Sequence, residues 1–284
     1  MNIRIEEKSG FCYGVVRVVE MADSILERGE ILYSLGQVVH NELEVDRLEK
    51  KGLKTLSRKE LPSLRDCRLL IRAHGEPPST YEIAKKNRIE IIDGTCPIVK
   101  RIQSAIAFRA FEKDVLIVIF GKKDHPEVEG LFAQAPEKTV IIKSEEDAAK
   151  LPVSKNLHLY SQTTMDSEAF KLIISFLEKK QKMEGGNFFI HNTICGHVSH
   201  RRSGILKFAM ENNIIIFVGG KHSSNGRVLF NICKDANPRS YYIGHPDELI
   251  DSWFEGIESV GITGATSTPR WHIEKVADKI REFI

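Results

Sequence analysis

Three cysteines in similar local sequences constrain the fold more than any other feature of this 284-residue chain. They lie in the stretches 10–14, 93–97 and 192–196, and in each an apolar segment typical of a strand precedes the cysteine and a helix-like segment follows. Cys96 lies 84 residues after Cys12, and Cys195 lies 99 residues after Cys96. This near-equal spacing predicts three similar units, each contributing one sulfur atom to a shared centre.

Apolar runs alternate with segments of helical periodicity along the whole chain. The run 115–120 (VLIVIF) is continuous and apolar, as expected for a strand that a parallel sheet buries on both faces. The pattern predicts an α/β protein with parallel sheets in three small lobes. We place the lobes at 1–96, with the N-terminal strand and the Cys12 loop, at 97–193 and at 194–284.

Composition excludes several classes of protein. The 41 basic and 39 acidic residues nearly balance, which gives no support to a nucleic-acid or membrane-surface role. No apolar run approaches the roughly 18 residues of a membrane span, and the first residues lack the apolar core of a signal peptide, so we expect a cytoplasmic protein. Five cysteines without close pairs favour free or metal-bound thiols over disulfides. Cys67 and Cys233 are expected to be inert.

Polar and titratable side chains cluster where predicted strands end and helices begin. Ligands bind at that edge of open parallel sheets, because helix N-termini there present free N–H groups and positive dipole ends. If three units face their strand ends inward, these residues converge. They are His40, His74, His125, Gln162, Thr163, Ser223, Ser224, Asn225 and Ser267.

These residue types indicate two kinds of binding chemistry. Three thiolates from distant segments suit a cubane iron–sulfur cluster with one iron that has no protein sulfur, whereas structural zinc sites use close cysteine pairs. The histidines, with hydroxyl and amide donors, suit a multiply charged anion such as a diphosphate. No glycine-rich nucleotide motif is present. Glu127 is the candidate acid. A structural role is an equal alternative, because the helix macrodipole favours a glutamate in the first turn of a helix.

Nine motifs in register resemble those of the LytB/IspH family, the 4-hydroxy-3-methylbut-2-enyl diphosphate reductases. The motifs span nearly the whole chain. They are Gly10-Phe11-Cys12-x-Gly14, Val39-His40-Asn41, Ala73-His74-Gly75, Asp93-x-Thr95-Cys96-Pro97, His125-Pro126-Glu127-Val128-x-Gly130, Gln162-Thr163-Thr164, Asn192-Thr193-Ile194-Cys195, Lys221-x-Ser223-Ser224-Asn225 and Ser267-Thr268-Pro269.

The resemblance implies three lobes, arranged with pseudo-three-fold symmetry around a central 4Fe–4S cluster. Its cluster ligands correspond to Cys12, Cys96 and Cys195, and one iron stays open. The family reduces the substrate with loss of water to isopentenyl and dimethylallyl diphosphates, the last step of the non-mevalonate isoprenoid pathway. Ferredoxin or flavodoxin is the implied electron donor.

The resemblance also implies roles for the strand-end residues. The diphosphate would be bound by His40, His74, His125, Ser223, Ser224, Asn225 and Ser267. Glu127 would deliver protons, with Thr163 positioning the substrate hydroxyl or its water, and His125 belongs to the same catalytic group. The stretch 196–202, His222 and Arg270 differ from the family pattern. Two alternatives stay open, a non-redox hydratase that uses its cluster as a Lewis acid and a cluster-based electron carrier or sensor without a substrate.

Overall fold

The computed structural model describes residues 1–221 and 223–283, except for the side chains of residues 198–200 and 224. Strands and helices alternate along this part of the chain. The strands are β1 (Asn2–Ile5), β2 (Leu32–Leu35), β3 (Leu53–Leu56), β4 (Arg68–Ile71), β5 (Glu90–Asp93), β6 (Val115–Phe120), β7 (Thr139–Ile142), β8 (Asn156–Ser161), β9 (Asn187–Ile190), β10 (Ile214–Val218), β11 (Ser240–Ile243) and β12 (Ser259–Gly264).

Ten α-helices connect these strands within the described residues. They are α1 (Tyr13–Leu26), α2 (Glu42–Lys50), α3 (Pro78–Lys86), α4 (Pro97–Arg109), α5 (Pro126–Phe132), α6 (Glu145–Ala149), α7 (Ser167–Glu184), α8 (Gly196–Met210), α9 (Ser224–Ala236) and α10 (Arg270–Arg281). Several begin at a side chain that caps the helix. Asn41 accepts a hydrogen bond from the backbone N–H of Glu44, and Asp166 accepts from those of Glu168 and Ala169.

The strands form three four-stranded sheets in the part of the chain that the structure describes, and eight pairs of neighbouring strands there run parallel. The predicted α/β class with parallel sheets is therefore confirmed. Chain contacts divide the protein into a first unit, Met1–Leu56 with Gly196–Ile284, and a second unit, Ser57–Cys195. The lobe boundaries at 96/97 and 193/194 stay a prediction. Among the described residues, no helix is both long and apolar enough to cross a lipid bilayer.

The first unit contains the complete sheet β1-β12-β10-β11 and the β2/β3 pair. The N-terminal strand β1 pairs with β12 from the other end of the sequence, with Ile3 opposite Val260 and Ile5 opposite Ile262. Every residue of β10 is buried, as expected for a central parallel strand. Apolar residues on one side of this sheet pack with α10, and those on the other side pack with α8 and α9.

The second unit contains the complete sheet β7-β6-β8-β9 and the β4/β5 pair. Its central strands β6 and β8 are buried from their second residues onward. Apolar residues on one side pack with α7, and those on the other side pack with α4 and α5.

Both complete sheets reverse their strand order at one point. The chain passes from β6 to β7 on one side and then returns to β8 on the other; it does the same from β10 to β11 and then β12. Loops that leave two such neighbouring strands diverge and open a crevice at the carboxyl ends of the strands, where ligands bind in open α/β sheets. The crevices therefore lie beside the loops after β6 and β8, and beside those after β10 and β12.

Candidate active site

Glu127 and Thr163 meet at the reversal point of the second unit. Glu127 lies in the first turn of α5, after β6, and Thr163 follows β8. The backbone N–H of Thr163 donates to Oε1 of Glu127 and its hydroxyl donates to Oε2, each at 2.7 Å. The two side chains are 2 % and 7 % exposed. The structure therefore brings the predicted proton donor into direct contact with its predicted partner.

Burial raises the pKa of the Glu127 carboxyl group to about 7, although both hydrogen bonds from Thr163 act to lower it. A carboxyl group with this pKa is divided between its acid and its carboxylate at neutral pH. Glu127 is therefore suited to donate a proton and to take it up again.

His125 caps the same helix, and its hydrogen bond to the helix backbone fixes the tautomer of its neutral ring. Its Nδ1 accepts a hydrogen bond of 3.2 Å from the backbone N–H of Glu127, so the proton of the neutral ring is on Nε2. The ring of His74 packs edge-on against it, with 5.4 Å between ring centroids, and a nitrogen of each ring lies within 4.8 Å of the other. Two imidazoles thus adjoin the Glu127 helix.

The loop that carries His74 is tied to that helix by a buried ion network. Glu76, 1 % exposed, accepts hydrogen bonds from Arg58 and from Arg72. Arg58 also donates at 2.8 Å to Glu129, which follows Glu127 on α5. Gly75 has a φ of +74° and leaves room for the Gln103 amide, which lies 2.7 Å from where a Cβ would stand. The network fixes the His74 loop against α5.

Cys96 and Cys195 lie at strand ends of the second unit. The backbone N–H of Cys96 donates to the Ala73 carbonyl, beside His74, and that of Cys195 donates to the Thr163 carbonyl. Thr193 supports the second loop, because its hydroxyl donates to the Ser161 carbonyl and accepts from the Ser161 N–H. Both cysteines therefore stand beside residues of the predicted site.

Cys12 holds the equivalent place in the first unit. It follows the edge strand β1, as Cys195 follows the edge strand β9, and its backbone N–H donates to the Thr266 carbonyl at 3.1 Å. Cys12, Cys96 and Cys195 are partly exposed thiols without disulfides, and each directly precedes a helix of at least 13 residues. The helix N-terminus stabilises a thiolate, so all three residues fit metal ligation.

The other two cysteines differ in this respect. Cys233 is buried in an apolar cluster, and burial raises its pKa to about 12. Burial also raises the pKa of Cys67. These thiols remain protonated at neutral pH, in agreement with the expectation that they are inert.

Predicted anion-binding residues of the first unit meet at its reversal point, after β10 and β12. Ser223 Oγ caps α9 by accepting from the backbone N–H of Gly226, and it lies 3.1 Å from Ser267 Oγ. Asn225 Nδ2 donates at 2.6 Å to Thr266 Oγ1. Ser223, Asn225 and Ser267 are all less than 10 % exposed. The side chain of Ser224 and all of His222 lie outside the described residues.

His40 adjoins this group through its backbone. Its carbonyl lies only 2.1 Å from the position that a Cβ of residue 220 would occupy, so only glycine fits there. The Ser267 hydroxyl donates to the same carbonyl at 3.5 Å. Asn41 bonds to His272 at 3.3 Å and fixes the start of α2.

Sequence reasoning missed several residues that support these sites. Thr266 contacts both the Cys12 loop and Asn225. Arg201 forms a buried ion pair of 2.6 Å with Glu6 and lines a cavity of about 250 Å³ together with Cys12 and Thr266. No sequence pattern indicated that Arg58 and Glu76 support the site either. These contacts join positions far apart in the sequence, and no short motif contains them.

Comparison with known proteins identifies the family of this chain. The family model described as LytB protein matches residues 3–281. A curated 4-hydroxy-3-methylbut-2-enyl diphosphate reductase from Bacteroides fragilis is 43 % identical over 287 residues, covering 100 % of this chain and 99 % of that protein. The chain belongs to the LytB family. LytB proteins are iron–sulfur enzymes.

Other LytB relatives are similar over their length. The reductase from Chloroherpeton thalassium is 39 % identical and covers 99 % of this chain and 96 % of its own. The solved structure of a reductase from Plasmodium falciparum superposes with a TM-score of 0.87 at 28 % identity, covering 98 % of this chain and 87 % of that one. A second solved structure, titled as the terminal enzyme of the non-mevalonate pathway, superposes with a TM-score of 0.75 at 34 % identity. The match covers 99 % of this chain and 100 % of that one.

Proposed function

We propose that this chain reduces 4-hydroxy-3-methylbut-2-enyl diphosphate to isopentenyl diphosphate and dimethylallyl diphosphate, at the end of the non-mevalonate isoprenoid pathway. One observation carries the proposal within a LytB protein: a buried carboxyl group with a pKa of about 7, bonded to a threonine hydroxyl at a sheet reversal point. This pair is suited to proton delivery in a site shielded from water.

The three helix-preceding cysteines would hold the cofactor. Cys12, Cys96 and Cys195 would ligate a 4Fe–4S cluster, leaving one iron without a protein thiolate. When bound, the cluster supplies single electrons and a Lewis-acidic iron for the substrate hydroxyl. The partly exposed thiols at helix N-termini support this ligand set.

The diphosphate would be held by the strand-end donors. In the second unit, Nε2–H of His125 and the neighbouring His74 ring are suited to phosphate oxygens. In the first unit, Ser223, Ser224, Asn225 and Ser267 belong to or adjoin the start of α9, where the helix dipole favours an anion. His40 completes the proposed set.

The Glu127–Thr163 pair would protonate the leaving oxygen of the substrate. The reaction consumes two electrons and two protons; the allylic C–O bond breaks, a C–H bond forms, and the hydroxyl group leaves as water. Protonated Glu127 can donate to Thr163 Oγ1, which frees the threonine hydroxyl hydrogen for the leaving oxygen. The carboxylate that remains keeps the N–H bond from Thr163.

The electrons would come from an external one-electron carrier, a ferredoxin or a flavodoxin. The test uses anaerobically purified protein with a chemical reductant or with each carrier. We expect conversion of the substrate to both products with two electrons consumed per turnover. Turnover without a reductant would instead identify a hydratase, and reversible reduction with no substrate-induced spectral change would identify a carrier or sensor.

The ligand assignment has its own measurement. Cys96→Ser is expected to lower bound iron and acid-labile sulfide together with activity, whereas Cys67→Ser keeps all three. Equal iron and sulfide in the two variants would remove Cys96 from the ligand set.

A further inference from the structure

Thr266 is the one described residue that hydrogen-bonds the side-chain amide of Asn225. Its Oγ1 lies 2.6 Å from Asn225 Nδ2. The other end of the amide, Oδ1, is buried and has no hydrogen-bond partner in the described part of the chain. Asn225 and Thr266 are 5 % and 9 % exposed, so neither side chain is mainly solvated.

The unpartnered amide oxygen indicates that this residue is completed by a ligand. Buried polar atoms in folded proteins nearly always have a partner. In the present orientation the amide offers an acceptor, whereas a diphosphate offers mainly acceptor oxygens at neutral pH. The binding of an anion therefore requires the N–H₂ end of the amide to face it.

A hydroxyl group can remain the partner of the Asn225 amide when the two ends of that amide change places. Thr266 Oγ1 can accept a hydrogen bond from Nδ2, as it does here, or donate its own hydrogen to Oδ1 after the amide turns over. The neighbouring hydroxyls do not compete, because Ser223 Oγ is engaged with Gly226 N–H and with Ser267.

We propose that Thr266 is a positioning residue that turns the Asn225 amide so that its N–H₂ group faces the bound diphosphate. The inference rests on the proposed function and deepens it. Thr266 acts through its side chain, since its backbone carbonyl is already committed to the Cys12 N–H. Removal of the hydroxyl should therefore affect the anion and leave the Cys12 loop in place.

The test measures binding of inorganic diphosphate to the anaerobic holoenzyme by calorimetry. Thr266→Val is expected to bind about tenfold more weakly, since one hydrogen bond to the amide is lost, while Thr266→Ser binds within about twofold of the parent. Bound iron should stay unchanged in both. Thr266→Ala removes the same hydroxyl without a β-branched side chain, in case the valine variant does not fold.

Thr268→Val is the matched control. Thr268 is fully buried in the same loop, and its hydroxyl donates to the Val218 carbonyl at 2.9 Å. The control should lose stability but keep the parent dissociation constant for diphosphate. A loss equal to that of Thr266→Val would show a general effect of the loop and overturn the proposal.

A double-mutant cycle separates positioning from a structural role. If Thr266 acts through Asn225, then Thr266→Val has no further effect on diphosphate binding in an Asn225→Ala background. Additive losses would overturn the proposal, as would parent-like binding by Thr266→Val. A parent protein that binds no diphosphate would instead remove the proposed substrate class, and this inference with it.

Discussion

Both carboxylate oxygens of Glu127 accept a hydrogen bond from the same residue, Thr163, one from its backbone and one from its hydroxyl. These bonds favour the carboxylate, while burial favours the acid. Burial has the larger effect and raises the pKa of Glu127 to about 7. The carboxyl group of Glu127 is therefore partly protonated at neutral pH, as the proposed proton delivery requires.

The first prediction concerns the pH dependence of turnover. In the proposed mechanism the acid form of Glu127 is the proton donor, so kcat should be level below pH 7 and fall about tenfold per pH unit above it. Glu127→Gln should lose at least about 100-fold in kcat and show no such inflection, with its iron content kept. The exposed Glu137→Gln is the control. A parent profile without an inflection between about pH 6 and pH 8 would exclude Glu127 as the donor.

The second prediction separates the two bonds from Thr163. Thr163→Val removes the hydroxyl donor to Oε2 and keeps the backbone donor to Oε1. Because the lost bond favoured the carboxylate, the pKa of Glu127 should rise and the inflection of the pH profile should move to higher pH. kcat should also fall at least about tenfold, since the proposed proton route passes through the hydroxyl. Thr163→Ser should restore both values; an unchanged inflection in the valine variant would contradict this account.

The third prediction concerns the ion network under His74. Arg58→Met leaves the buried Glu76 with Arg72 as its remaining cation, which should lower the free energy of unfolding by about 2 kcal/mol, since Arg58 is itself partly exposed. Arg88→Met breaks an exposed pair with Asp66 and should leave the free energy of unfolding nearly unchanged. Urea denaturation compares the two. Diphosphate affinity should fall in the first variant only, and equal effects would show that the network does not hold the His74 loop.

The fourth prediction concerns acid stability. His272 is fully buried, and burial lowers its pKa to about 4. The unfolded chain, with a histidine pKa near 6.5, then binds more protons than the folded chain between these values. The free energy of unfolding should therefore decrease as pH falls from about 6.5 to 4. His272→Gln should flatten this slope, measured by denaturation at several pH values. An unchanged slope in His272→Gln would show that His272 does not titrate in this way.

Much of the fold could be read from local sequence. The continuous apolar run of β6 has a short-range cause, and this strand was predicted at its place. The strand β3 was not predicted, because four residues of the pattern LKTL carry little periodicity. The pairing of β1 with β12 joins residues more than 250 positions apart, which no local pattern specifies.

The residues of the candidate site also divide into those that local sequence predicts and those that depend on distant contacts. Glu127, Thr163 and the cysteines stand at strand ends, where the α/β class alone directs attention, and the family motifs name them. Thr266 was missed because its role depends on a side chain 41 residues away. Arg58 and Glu129 are 71 residues apart, and their contact arises from packing.

The pairing of β1 also sets an order of events during synthesis. Its partner in the sheet is β12, which is synthesised more than 250 residues later. Until residues 259–264 emerge, Ile3 and Ile5 have no neighbouring strand, and the Cys12 N–H lacks its acceptor on Thr266. The nascent chain thus presents two sulfur-bearing loops well before the third is formed. The proposed three-cysteine centre therefore requires synthesis to proceed beyond residue 266, and a chain that stops earlier would lack the ordered Cys12 loop.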